Sequence, residues 1–196
     1  MARPRNPERR AAILSAATSV VAAHGVSAAT AAIAKRAGVS NGSLFGHFAT
    51  KQDLINELYL ELKTEMVDAV TPDPAVGYTA RAQVFQAWDR WLTWATTSPD
   101  KWAVLAQLEV CTDITAGTRK EVTGRFGVIT HLLEQARVGG PVDDAPLPFV
   151  LALTNAIAEA TITAITANPG AAAAYQQVGF DALWRVLAGD TVPINT

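Results

Sequence analysis

The stretch SNGSLFGHF, Ser40 to Phe48, lies between two segments that read as helix, IAKRAGV (33–39) and ATKQDLINEL (49–58). Its Asn-Gly pair and second glycine suggest a turn. As a helix it is weak: each glycine costs about 1 kcal/mol relative to alanine, and so short a helix is not stable alone. Yet Ser40 is a good N-cap. Leu44 and Phe48, four apart, share a face that can anchor on neighbouring helices. At about 100° per residue, Gly42 and Gly46 fall opposite that anchor. Asn41 and Phe45 flank this bare strip on one side, Ser43 and His47 on the other. The expectation is a short helix, held by tertiary packing, whose outer face is nearly naked backbone suited to close approach to another surface.

Working outward, the segment before it ends in an AGVS turn, with Gly38 free to take positive φ. Helix, tight turn and short helix is the spacing of a helix-turn-helix, whose second helix enters the DNA major groove. Charge agrees. The net charge is −2, but residues 1–51 carry seven basic side chains (Arg3, Arg5, Arg9, Arg10, Lys35, Arg36, Lys51) against one acid, Glu8. The remaining 145 residues carry nine basic and seventeen acidic ones. A positive head on a larger acidic body implies that the head alone meets a polyanion.

The remaining pattern is all-α, with no strand alternation and no internal repeat. A first helix is expected over Pro7–His24, stopped by Gly25. A second ends near Ala37, with Ser27 or Thr30 as its cap. A fourth starts at Thr50 or Lys51, where Thr50-x-x-Asp53 resembles a capping box, and ends near Val70. TPDP (71–74) breaks the chain there and marks a boundary between a head, residues 1–52 with a connecting helix, and a body, 75–196. In the body, helices are expected over Tyr78–Thr97, from Pro99 with Ser98 as cap, Thr118–Val138, Phe149–Ala167 and Ala171–Leu187.

At this point the sequence is similar to the N-terminal DNA-binding domain of the TetR family of bacterial repressors. The resemblance covers residues 10–55 through ILSAA, HG, IAKRAGVS, GSLFGHF and KQDL, in order and at matching spacing. It implies a three-helix DNA-reading head, a helical ligand-binding and dimerising body, and repression relieved by a small molecule. Phe45 stands where members usually carry a tyrosine that touches phosphate; its ring can pack on sugar or a thymine methyl instead. Val21 stands where they carry an aromatic, and the segment Gly25–Ile33 is one residue shorter than usual.

The DNA-facing candidates are Thr30, Lys35, Arg36, Ser40, Asn41, Gly42, Ser43, Phe45, His47 and Lys51. An Asn41 amide can pair with adenine, and Ser43 can reach a base or a phosphate. Gly42 permits close backbone approach. His47 ends the short helix, where the dipole and a phosphate both favour its imidazolium. Lys51 resembles the family's phosphate-binding lysine. Arg3 and Arg5 form an arm able to reach the minor groove.

In the body, Trp88, Trp91, Trp94 and Trp102 fall within fifteen residues, spread over a wide helical arc. Such a helix is buried on more than one side and can border a cavity. Candidate lining for an apolar or aromatic ligand is Trp88, Trp91, Trp102, Leu105, Glu109, Phe126, Thr130, Asn155 and Glu159. The alanine-rich helices 149–167 and 171–187 are expected, by family resemblance, to form a homodimer interface, which places two reading helices on a palindromic operator. The three histidines and the single Cys111 form no catalytic triad, zinc motif or phosphate loop. We therefore expect no enzyme, metal or cofactor. No apolar run approaches the roughly 18–20 residues of a membrane span, and the N-terminus lacks a secretory pattern, so a cytoplasmic location is expected. Two alternatives stay open: a DNA-binding factor without a small-molecule ligand, and a ligand-dependent activator.

Overall fold

The computed structural model describes residues 7–72 and 79–189. The Arg3/Arg5 arm, the end of the 71–74 breaker and the Tyr78 helix start lie outside the described residues. Within them the fold is all-α: α1 Pro7–His24, α2 Thr30–Arg36, α3 Asn41–His47, α4 Lys51–Val70, α5 Ala80–Thr97, α6 Pro99–Glu109, α7 Ala116–Arg125, α8 Gly127–Arg137, α9 Leu147–Ala167 and α10 Ala172–Ala188, with a 3-10 turn at Pro169–Ala171.

Two expectations are corrected. The helix expected over Thr118–Val138 is two, α7 and α8, separated at Phe126, which occupies the N-cap position of α8. Gly124 and Gly127 flank this break, and glycine weakens a helix interior on both sides of it. Neither Ser27 nor Thr30 caps α2: Ala29 holds the cap position with no side-chain hydrogen bond, and Thr30 is the first helical residue.

The described chain divides into two compact units. The first joins residues up to Glu65 with Ser98–Gly124, so α6 and α7 belong with the helices around α3. The expected division at 71–74 does not follow this grouping. Ile13, Ala17 and Val21 of α1, Ile33 of α2, Leu44 of α3, Leu54, Ile55 and Leu58 of α4, and Val104 and Leu108 of α6 are at most 1% exposed. Val21 is fully buried, so the small side chain fills its place in the core without an aromatic ring. Gly38 closes α2 at φ +67°, the left-handed conformation that reverses the chain into α3.

The second unit holds Met66–Thr97 and residues from Arg125 on. Here α10 packs on α9, α5 and α8. Trp88 lies in this core and donates its Nε1–H to the Gln176 carbonyl at 3.1 Å. Gly179 lets α9 and α10 approach closely: a methyl there would collide with Thr161 Oγ1 and the Trp88 ring. Helix α9 is long and apolar enough, by length and composition, to cross a membrane, which departs from the expectation of no such run. Val150, Thr154, Ala158, Thr161, Ile162 and Ile165 form its buried side.

Candidate nucleic-acid interface

The geometry of α3 follows from its ends inward. Ser40 adopts an extended conformation and its side chain accepts the Ser43 N–H at 3.1 Å, which starts the helix despite Gly42. Leu44 is fully buried and Phe48 is 3% exposed, so the anchor face is filled. The Arg10 guanidinium lies 5.7 Å from the Phe48 ring centroid and pairs with Glu57 and Glu61 on α4. Burial pushes the Glu61 carboxyl above its ordinary value; Arg10 opposes this, while Glu65 and Glu57 add to it.

The opposite face is open. Asn41, Gly42 and Gly46 are exposed, and Phe45 is 40% exposed. A methyl at Gly42 or Gly46 would meet no atom of the described residues within 4 Å. The glycines are therefore not demanded by packing inside the protein. Ser43 and His47 are half-buried on the flank. The His47 Nδ1 atom is buried with no hydrogen-bond partner among the described residues, while its ring lies 6.4 Å from that of Phe48.

Lys51 begins α4, half-buried, within a reciprocal capping box. Thr50 N–H donates to Asp53 Oδ2 and Asp53 N–H to Thr50 Oγ1, both at 3.0 Å. Lys35 and Arg36 are exposed in the last turn of α2, Ser40 is exposed, and Thr30 is half-buried. The candidates of α3 and the start of α4 thus share one neighbourhood with the cations of α2 beside them in sequence.

Behind α3 the first unit holds a polar cleft of about 480 Å³, lined in part by Arg10, His47, Gln52, Asn56, Glu57 and Thr118. Sequence reasoning did not find it, because α7 contributes one wall and nothing in the chain announces that contact. Nearby, Tyr59 donates to Glu109 Oε2 at 3.0 Å, and Glu109 also pairs with Lys63 and Arg119. Burial first, then the Glu109 charge and hydrogen bond, push the Tyr59 phenol well above its ordinary value.

The residues expected to line a ligand site are not gathered in one unit. Trp102, Leu105 and Glu109 fall in the first; Trp88, Trp91, Phe126, Thr130, Asn155 and Glu159 fall in the second. Leu105 is 2% exposed in the core, Glu109 is held in ion pairs, and Asn155 and Glu159 are exposed on α9. Thr130 turns its hydroxyl back to the Phe126 and Gly127 carbonyls, and Trp91, Trp102 and Phe126 are half-buried. Among the described residues no group of three or more His, Cys, Asp or Glu side chains could hold a metal ion.

Residues 13–58 match the family described as bacterial regulatory proteins, tetR family. The fold is similar to that of a tetR family transcription regulator from Shewanella sp. PV-4, at TM-score 0.81 and 26% identity, covering 90% of this chain and 96% of that one. A TetR family transcription regulator from Marinobacter aquaeolei matches at TM-score 0.76 and 18% identity, covering 91% and 95%. The TetR-like regulator LfrR from Mycobacterium smegmatis, in complex with proflavine, matches at 0.64 and 23%, covering 94% and 99%. The family match lies on α1 to α4, and the fold of the described chain as a whole is similar to that of TetR family transcription regulators.

Proposed function

We propose that this chain is a homodimeric repressor that binds a palindromic operator and is released by an apolar or aromatic small molecule. The observation that carries the DNA reading is α3: a capped, anchored helix whose outer strip has exposed glycines that no internal contact requires. On this reading Asn41 and Ser43 contact bases and Phe45 packs on sugar or a thymine methyl. Thr30, Lys35, Arg36, His47 and Lys51 supply the polar and cationic contacts to the backbone. Residues 1–52 with α4 act as the head, and 75–196 as the ligand-binding and dimerising body. The exposed face of α9 carries Phe149, Ala152, Ala156 and Ala160, and that of α10 carries Ala174, Val178 and Ala182. These are side chains suited to close helix packing against a second copy. The chain acts by binding alone, without catalysis, cofactor or membrane, and works in the cytoplasm.

Release by a ligand is supported by the wide aromatic arc of α5 and by the proflavine complex of LfrR. A ligand-free DNA-binding factor is the second reading, favoured by Leu105 being core and Glu109 being held in ion pairs. The test is fluorescence anisotropy with a duplex selected from random DNA, beside a scrambled duplex, with and without aromatic cations. A selected duplex that wins by several kcal/mol and is released by a ligand fits the repressor. Selective binding that no ligand weakens favours the second reading. Equal, weak binding to both duplexes refutes sequence-specific regulation.

A further inference from the structure

Two side chains of α4, Asn56 and Gln52, tie its first turns to the turn between α6 and α7. Asn56, in the second turn of α4, uses both ends of its amide. Its Nδ2 donates to the Asp113 carbonyl and to the Gln52 carbonyl, each at 2.8 Å. Its Oδ1 accepts the Thr115 N–H at 2.9 Å and the Thr118 hydroxyl at 2.7 Å. Gln52 adds a second bond to the Asp113 carbonyl at 3.2 Å. The turn from α6 to α7 is also held by Arg119, which donates to the Glu109 and Cys111 carbonyls, and by Ile114, its buried apolar residue; Asp113, Thr115, Ala116 and Gly117 are exposed. Four residues before Asn56, one turn away, Gln52 follows directly on Lys51. Gln52 and Asn56 themselves border the cleft that His47 also lines.

We propose that Asn56 is a positioning residue for DNA reading: its amide clasps the first turns of α4 to residues 113–118 and so sets where Lys51 and the end of α3 stand. This rests on the DNA-reading proposal above. An amide is suited to the task because it alone offers two donors and an acceptor in one plane, matching two carbonyls on one side and an N–H and a hydroxyl on the other. Loss of the clasp leaves the cations in place but lets α4's first turns take several positions. Specific binding must then pay to order them, whereas non-specific binding, which needs only charge near phosphate, need not.

The experiment uses the full chain and a duplex that the wild type selects from random DNA, beside a scrambled duplex, well below the melting temperature. Asn56→Ala is expected to weaken the selected duplex about tenfold, the equivalent of about one net hydrogen bond or somewhat more, and to leave the scrambled duplex and its salt slope unchanged. Thr118→Val, cut from the other side of the clasp, moves the same ratio in the same direction, and the double variant is no worse than Asn56→Ala alone. Thr118→Val also serves if Asn56→Ala does not fold. A purely structural role lowers the melting temperature and leaves the ratio of the two affinities intact, which overturns the proposal, as does equal weakening of both duplexes or additive losses. A wild type that enriches no sequence overturns both this inference and the DNA reading; enrichment with unchanged variants overturns this inference alone.

Discussion

Adding methyl groups to the bare strip of α3 is expected to stabilise the protein and disable it. Gly42 and Gly46 are exposed, have helical rather than left-handed backbones, and a methyl at either meets no atom of the described residues within 4 Å. In the free protein the double variant Gly42→Ala/Gly46→Ala therefore gains only helix propensity. The full interior difference is about 1 kcal/mol per site; both lie near the ends of a seven-residue helix, so a total of about 1–2 kcal/mol is expected. That raises the melting temperature by roughly 2–8 °C for a chain of this size. On DNA the sign reverses. The methyl groups occupy the space through which the backbone approaches the groove, the helix is held away, and the loss of even one bidentate base contact costs about 1–3 kcal/mol. Thermal melting by circular dichroism measures the first effect, and anisotropy on the selected and scrambled duplexes the second. A variant that is more stable and binds the selected duplex as well as wild type would refute the docking face. A variant that is less stable would refute the claim that the strip is free of internal contacts.

Other perturbations separate the remaining parts. Lys51→Ala is expected to weaken both duplexes and to reduce the magnitude of the salt slope by about 0.9, one phosphate contact's worth; a selective loss on one duplex would make Lys51 a base reader instead. Gly179→Ala drives a methyl into Thr161 and Trp88, and overpacking of this kind costs about 1–3 kcal/mol, seen as a lower urea midpoint; no change would mean α9 and α10 separate freely. The folded Tyr59 keeps its proton at pH values where the unfolded phenol, with its ordinary value of 10.0, ionises. The folded state then binds more protons, so stability falls as pH rises above about 10. Tyr59→Phe flattens that limb in a urea series, and an unchanged limb refutes the assignment. Val178→Asp puts a charge on a 68% exposed site of α10 and is expected to give monomers in sedimentation; dimers of unchanged affinity place the interface elsewhere.

The local features were legible because they are written at short range. The Ser40 cap, the Thr50–Asp53 box, the Leu44/Phe48 anchor and the limits of α1 and α4 all follow from residues within four positions of one another. Where two local signals competed, reading was less secure. Glycines at 124 and 127 broke one expected helix into α7 and α8, and α2 began without a side-chain cap, because packing of Ile33 rather than capping chemistry holds it. The tryptophan arc on α5 announced burial correctly for Trp88, but burial does not distinguish a core wall from a ligand wall. Which residues would face a ligand depends on distances between helices far apart in the chain.

By itself, then, the sequence determined the all-α class, the helix-turn-helix and its open glycine strip, since helix periodicity, caps and turns depend on near neighbours. Only the tertiary structure decided that α6 and α7 fall in one compact unit with α1 to α3, and that Asn56 closes three bonds on residues 113–118. An asparagine on a polar helix face looks solvated until a turn 57 to 62 residues further along the chain is folded against it and its amide gains partners.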